Sequence, residues 1–187
     1  MIEAFLVSTG VVALAEVGDK TQLLAIMLAA RFRQPLPIIA GIFAATLANH
    51  ALAAWGGAAL ARFLTVDVLR IALGVSFLAM AAWALIPDKD ETIDTRAERF
   101  GAFAATAIAF FLVEIGDKTQ IATVALAARF QDVLAVTAGT TLGMMIANVP
   151  AVLLGDRVTR MAPLAAMRVA AAAVFAALGV AALFWPG

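Results

Sequence analysis

Residues 16–22 read Glu16-Val17-Gly18-Asp19-Lys20-Thr21-Gln22, and the pattern returns at residues 114–120 as Glu114-Ile115-Gly116-Asp117-Lys118-Thr119-Gln120. The offset is 98 residues, and from Glu16 to Phe32, 11 of 17 positions are identical to their counterparts. Both copies lie inside long apolar stretches. The chain is therefore a duplication in which each half carries one charged motif within an apolar segment.

The composition predicts a membrane protein. The 187 residues are 64% apolar and 14% charged, with a mean hydropathy of +1.00, whereas a soluble domain is about 45–50% apolar and about 25% charged. A membrane-spanning helix needs roughly 20 residues, and charged or proline-containing breaks separate six apolar segments. The predicted spans are 4–30, 36–60, 68–86, 100–128, 133–154 and 161–184. This composition excludes a soluble enzyme, and no basic stripe for nucleic acid is present.

The predicted fold class is an all-α polytopic membrane protein with six transmembrane helices in two inverted three-helix repeats. Residues 1–86 form the first repeat, 87–99 a charged cytoplasmic loop, and 100–187 the second repeat. Because three is odd, the second unit enters the membrane from the opposite side. The halves are then related by a pseudo-two-fold axis in the membrane plane, an arrangement that places transporter sites at the midplane between the repeats.

The distribution of positive charge predicts the orientation. Eight of the eleven basic residues outside the motifs fall on the side that carries the 87–99 loop. Positively charged loops face the cytoplasm. We therefore expect that side to be cytoplasmic and both termini to lie outside.

Four acids lie near the middle of the first and fourth predicted spans: Glu16, Asp19, Glu114 and Asp117. A charge at the centre of a spanning helix costs roughly 2.5–3.5 kcal/mol, so such residues face a protein interior or a wet cavity and indicate a function. On one helix, the Glu and Asp at i and i+3 would point the same way, and the Lys at i+4 could pair with the Glu. The glycine between the acids permits close approach or a local break.

Spans 1 and 4 bring the four carboxylates together if they meet at the pseudo-two-fold axis. Lys20 and Lys118 reduce the formal charge to −2, which suits one divalent cation or two protons. Crowded carboxylates in a medium of low dielectric hold protons more readily. Oxygen ligands favour Mn²⁺, Ca²⁺ or Mg²⁺, while the absence of cysteine and the single histidine disfavour zinc and copper.

Further polar residues lie close to the motifs. Some extend them with neutral oxygens: Thr21, Thr119, Gln22 and Gln120. Asn49 and Asn148 match after a one-residue slip, and they act either as auxiliary ligands or as interhelical hydrogen-bond partners. His50 is either a neutral packed imidazole or an additional ligand or proton relay.

The two motifs resemble the paired E-φ-G-D-(K/R)-(T/S) signatures of the Gdt-type family, which includes Golgi cation/proton exchangers and bacterial manganese exporters. The resemblance covers the whole chain. It implies Mn²⁺ and Ca²⁺ as substrates, H⁺ as the counter-ion, and a cation site formed by the four motif acids. The chain lacks the long extensions of eukaryotic members, so the resemblance implies a bacterial cytoplasmic (inner) membrane and export from the cytosol.

The sequence thus predicts a secondary transporter that exports a divalent cation in exchange for protons, without a cofactor. An exporter of a small organic cation, such as a basic amino acid, is one alternative. Others are a non-transporting membrane scaffold and a passive channel. The sequence leaves open the preference between Mn²⁺ and Ca²⁺ and whether the chain forms a homo-oligomer.

Overall fold

Helices joined by short turns make up the part of the chain that the computed structural model describes, which comprises residues 1–86, 101–155 and 164–184. These residues form eight α-helices and no β-strand. The predicted all-helical fold class is confirmed, and the predicted loop 87–99 lies outside the described residues. The helices are α1 (Ile2–Glu16), α2 (Lys20–Phe32), α3 (Pro35–Ala61), α4 (Val66–Ala84), α5 (Gly101–Glu114), α6 (Lys118–Phe130), α7 (Val133–Leu154) and α8 (Leu164–Leu183).

Four helices, α3, α4, α7 and α8, are long and apolar enough to cross a membrane by length and composition. They correspond to the predicted spans 36–60, 68–86, 133–154 and 161–184. The predicted spans 4–30 and 100–128 are each divided into two shorter helices. The architecture is that of a multi-pass membrane protein with two interrupted helical segments.

Each interruption falls on the motif glycine. Gly18 has a φ of 81° and Gly116 a φ of 78°, in the left-handed region that glycine adopts without steric cost. The sequence allowed either a close approach or a break at these glycines, and both halves contain the break. The flanking acids therefore have defined places: Glu16 and Glu114 end α1 and α5, whereas Asp19 and Asp117 are the N-caps of α2 and α6.

The expectation that the motif lies on one helix, with Lys20 paired to Glu16 at i+4, is wrong. The helix ends at Glu16 and a new one begins at Lys20, so the geometry of a continuous helix does not apply. The acids converge because two helix ends meet, and the lysines are directed to the other half of the molecule.

The two halves are packed against each other through equivalent contacts. Helix α1 packs on α7, and α5 packs on α3. A Cβ atom at Gly139 would lie 2.5 Å from the carbonyl oxygen of Phe5, and one at Gly41 would lie 2.7 Å from that of Phe103. At the 98-residue offset, Gly139 corresponds to Gly41 and Phe103 corresponds to Phe5. Glycine thus allows backbones of different halves to touch at two corresponding places.

The last helices of the two halves, α4 and α8, also pack together. The rings of Phe77 and Phe175 are stacked with their centroids 6.5 Å apart, and these residues are again separated by 98 positions. Both side chains are fully buried. A pair of equivalent aromatic residues therefore packs the last helix of one half against the last helix of the other.

Gly57→Ala is expected to lower stability, while Gly56→Ala is not. A Cβ atom at Gly57 would overlap the backbone carbonyl of Val124 in α6, whereas one at Gly56 meets no atom within 4 Å. Overpacking costs about 1–3 kcal/mol, and alanine is otherwise favoured over glycine in a helix by roughly 0.5–1 kcal/mol. Thermal unfolding of the two variants in detergent measures the difference. Equal melting temperatures would contradict the close contact between α3 and α6.

Candidate metal centre

Three of the four predicted acids form one buried group. Glu16, Asp19 and Asp117 each place a carboxylate oxygen within 4.8 Å of the other two, and the three residues are 0%, 2% and 3% exposed. The group draws on the helix breaks of both halves. Glu114 is also fully buried but lies outside this group of three.

The motif lysines pair across the halves. Lys118 Nζ lies 3.1 Å from Asp19 Oδ1, and Lys20 Nζ lies 3.4 Å from Asp117 Oδ1. Neither aspartate makes a capping hydrogen bond to the helix that it precedes, although Asp commonly does so at this position. The carboxylates instead face the lysine of the opposite motif, as expected for buried charges that require a partner.

The two lysines differ in their surroundings. The Lys118 side chain is 6% exposed, and its ammonium group lies 5.9 Å from the centre of the Trp83 ring, within the range of a cation–π contact. The Lys20 side chain is 17% exposed. The Lys118–Asp19 pair is thus more deeply buried than the matching Lys20–Asp117 pair.

The motif glutamines hold the helix breaks. Gln22 Oε1 accepts a hydrogen bond from the Gly18 N–H at 3.0 Å, and Gln120 Oε1 accepts one from the Gly116 N–H at 2.7 Å. These bonds satisfy the backbone donor of the residue just before each N-cap, whereas the N3 Glu or Gln of a capping box reaches the N–H of the N-cap itself. In this geometry both glutamine oxygens accept from the backbone, and their role as auxiliary ligands stays a prediction.

The two asparagines have different neighbours. Asn148 Nδ2 donates to Glu16 Oε1 at 3.2 Å, so its amide touches the acidic group. Asn49 Nδ2 donates to the carbonyl oxygen of Phe111 at 2.9 Å, and Asn49 Oδ1 accepts from Gln120 at 3.4 Å. The interhelical hydrogen bond that the sequence left as one alternative is present at Asn49, while Asn148 contacts an acid directly.

The residue equivalent to Asn148 is His50. At the 98-residue offset, Asn148 corresponds to position 50, and His50 Nε2 lies 3.8 Å from Glu114 Oε2. The match of Asn49 with Asn148 is therefore wrong, because the one-residue slip displaced the register of α3 against α7. The unslipped offset would have matched Asn148 with His50.

The motif threonines are both buried but are not equivalent. Thr119 Oγ1 lies 3.0 Å from Glu114 Oε2 and 3.4 Å from Asp117 Oδ2, so its hydroxyl links two acids of one motif. Thr21 Oγ1 makes no hydrogen bond within the described parts of the chain. The two halves therefore differ in how their threonine hydroxyls are satisfied.

The family model of the divalent cation/proton antiporter GDT1 matches residues 4–92 and 102–185 of this chain. The chain belongs to this antiporter family. The matched segments include both helix breaks and every residue of the acidic group. The predicted membership of the Gdt-type family is confirmed.

A relative of this antiporter-family chain occurs in Vibrio cholerae serotype O1 and is named "Putative manganese exporter". It is 54% identical over 183 residues, which cover 96% of this chain and 90% of the relative. No solved structure is significantly similar to the chain. The family and the relative both indicate a transporter rather than an enzyme.

In this antiporter-family chain, a small recess leads to Asp19. Lys118 and Arg168 line it, together with Ala84 at the end of α4, and it has space of about 10 Å³ for the centre of a water molecule. That space is sufficient for about one water. The sequence analysis counted Arg168 only among the basic residues that set the orientation. Its position beside the acids was missed, although it lies within the predicted span 161–184, where a charge is itself a functional signal.

The acidic group has the dimensions of a site for a hard cation. Metal–oxygen distances of about 2.0–2.6 Å place two oxygens on one ion at most about 5 Å apart. The oxygens of Glu16, Asp19 and Asp117 satisfy this limit before any rearrangement. The lysines hold two of these carboxylates, so an entering cation would compete with ammonium groups for the same oxygens.

Proposed function

We propose that the protein exports Mn²⁺, and secondarily Ca²⁺, across the bacterial cytoplasmic (inner) membrane in exchange for protons. The observation that carries this proposal is the buried group of Glu16, Asp19 and Asp117, to which both helix breaks contribute. Membership of the divalent cation/proton antiporter family supports the ion class and the counter-ion. The relative named as a manganese exporter supports Mn²⁺ and the direction.

In the proposed mechanism, four carboxylates hold the ion: Glu16, Asp19, Glu114 and Asp117. The two lysines occupy the aspartates when metal is absent, as the distances of 3.1 and 3.4 Å support. An arriving divalent cation displaces them and balances the formal charge of −2. Protons bind the acids after the metal is released. The negative charge of the site is therefore balanced by metal in one stage of the cycle and by protons in the other. No resident cofactor takes part.

The proposed architecture has six membrane spans in two inverted repeats. Residues 1–86 form one repeat, residues 100–187 the other, and 87–99 a cytoplasmic linker. Each of the interrupted pairs, α1 with α2 and α5 with α6, then counts as one span. The contacts that recur at the 98-residue offset, such as Phe77 with Phe175, support a pseudo-two-fold axis. Movement of one repeat against the other would expose the acids to each side in turn.

Flux measurements in proteoliposomes test the exchange. An imposed pH gradient is expected to drive Mn²⁺ against its own concentration gradient, and dissipation of the gradient with a protonophore is expected to stop this movement. A passive channel would carry Mn²⁺ only downhill. Comparison with Ca²⁺ in the same vesicles gives the preference between the ions.

The organic-cation alternative is disfavoured by the small size of the recess that opens beside the acidic group. The recess beside Asp19 has room for about one water, whereas a basic amino acid requires a larger pocket. Uptake of labelled lysine by the same vesicles separates the two substrates. Lysine transport without Mn²⁺ transport would overturn the proposal.

Both termini are predicted to lie outside the cell, which cysteine labelling can test. The chain contains no cysteine, so single variants can be labelled without background. We expect Glu3→Cys and Phe63→Cys to react with a membrane-impermeant maleimide in intact spheroplasts, and Gln34→Cys to react only after lysis. All three positions are exposed. The reverse pattern would place the N-terminus in the cytoplasm and contradict the predicted orientation, while the direction of exchange would still be set by the ion gradients.

A further inference from the structure

We propose that His50 is a nitrogen ligand of the transported cation and makes the site prefer Mn²⁺ over Ca²⁺. This inference rests on the proposed function and assigns the ion preference to one side chain. His50 lies in α3, outside both charged motifs, and faces the glutamate of the second motif. Its burial, its hydrogen bonding and its counterpart in the other half all bear on this role.

His50 is fully buried. Neither of its ring nitrogens makes a hydrogen bond to any residue that the structure describes. A neutral imidazole carries one donor and one acceptor, and buried polar groups in proteins are generally bonded. A histidine retained only for packing would therefore be expected to find a hydrogen-bond partner, which this side chain does not have among the described residues.

The position of Nε2 suits a shared ion. It lies 3.8 Å from Glu114 Oε2, which is too long for a hydrogen bond. Two ligand atoms that each lie about 2.1 Å from one ion are separated by roughly 3–4 Å. A cation between His50 and Glu114 would therefore satisfy the imidazole without a large movement of either side chain. Because Glu114 lies outside the group of Glu16, Asp19 and Asp117, an ion bound by all of these residues requires that group and the His50–Glu114 pair to draw together around it.

The corresponding residue of the other half is chemically different. Asn148 donates to Glu16 Oε1 at 3.2 Å and to the carbonyl oxygen of Met144 at 3.1 Å. Its amide offers only oxygen as a metal ligand. The two glutamates thus face an amide in one half and an imidazole in the other, and this difference gives the site one nitrogen donor among oxygens.

A single nitrogen donor separates the candidate ions. Protein sites for Ca²⁺ are built from oxygen ligands, whereas imidazole is a common ligand of first-row transition metals, with Mn²⁺ at the weak end of the affinity series. With no cysteine and no second histidine in the chain, the site does not provide the nitrogen and sulfur set that holds zinc tightly. One imidazole therefore favours Mn²⁺ over Ca²⁺.

The substitution that tests this is His50→Asn, which gives both halves the same residue. We expect the apparent affinity for Mn²⁺ in proteoliposome transport to fall at least about tenfold, and that for Ca²⁺ to change less than about twofold. Asn49→Ala is the matched control, because Asn49 is the adjacent residue of α3 and its amide bonds to Phe111 and Gln120. Asn49→Ala is expected to leave the ratio of the apparent affinities for Mn²⁺ and Ca²⁺ unchanged. If His50→Asn lowers the apparent affinities for Mn²⁺ and Ca²⁺ equally, His50 is a packing residue and not a selective ligand.

A spectroscopic experiment on the unsubstituted protein keeps the proposal testable even if the variant does not fold. Since His50 is the only histidine, a protein without a histidine tag can be loaded with Mn²⁺ and measured by electron spin-echo envelope modulation. We expect modulation from a directly bound imidazole ¹⁴N, changed to the ¹⁵N pattern by labelled histidine. Bound Mn²⁺ without this coupling overturns the role of His50 alone. Failure of the unsubstituted protein to bind or transport Mn²⁺ overturns the proposed function.

Discussion

Mn²⁺ efflux is expected to fall at least about 100-fold when Glu16→Gln and Glu114→Gln are combined. Each substitution replaces a fully buried carboxylate by a neutral amide of similar size, and the loss of even an indirect ligand contact reduces metal affinity about 10–100-fold. The double variant also removes two of the four negative charges that compensate the ion. Efflux from loaded vesicles, normalised to the amount of reconstituted protein, measures the effect.

The control for this pair is Glu3→Gln. It makes the same chemical change at an exposed position of α1 and is expected to retain normal efflux. A double variant that inserts normally and still exports Mn²⁺ would exclude these carboxylates from the transport site. Normal insertion with complete loss of efflux would exclude the scaffold alternative, in which the acids serve only to hold helices together.

Lys118→Met is expected to lower the free energy of unfolding by about 3–5 kcal/mol, the typical effect of breaking a buried ion pair by removing one partner. It removes the ammonium group that lies 3.1 Å from Asp19 Oδ1 and leaves excess negative charge among buried acids. Lys20→Met makes the same change in the matching pair. Its effect is expected to be smaller, because the Lys20 side chain is 17% exposed against 6% for Lys118, so water compensates more of the charge. Denaturation of both variants in detergent measures the difference.

Stability and transport can be separated in the double variant Asp19→Asn with Lys118→Met. Both charges of the pair are removed, so we expect most of the lost stability to return. Efflux is expected to stay low, because Asp19 no longer supplies a charged ligand. Normal transport by the double variant would show that the pair has only a structural role. A Lys118→Met protein as stable as the unsubstituted chain would contradict the burial of the pair.

The positions of the helices could be predicted from apolar runs and their breaks. The bounds of α7, Val133–Leu154, agree with the predicted span, because charged residues lie close to both ends of the segment and none lies within it. The division of the first and fourth segments was left open. Glycine permits both a close approach and a left-handed turn, and the sequence alone does not say which one the surrounding helices require.

The acidic site could be located but not assembled from the sequence. The repeated motif identifies the buried acids, because a charge within an apolar segment is costly and is seldom retained without a function. The partner of each lysine was predicted wrongly. Spacing along one helix suggested Glu16 with Lys20, while the break at Gly18 sends Lys20 to Asp117 of the opposite half.

The sequence by itself determined that the chain is duplicated, helical and apolar, and that each half places two acids and a lysine at one glycine. These properties are local, since they depend on hydropathy, spacing and the conformational freedom of a single residue. Only the tertiary structure decided which half contributes to which contact, that each motif aspartate pairs with the lysine of the other motif, and that Asn148 and His50 each lie beside a motif glutamate. The physical reason is that packing of α1 on α7 and of α5 on α3 fixes the register between residues far apart in the chain, and no property of either segment alone encodes that register.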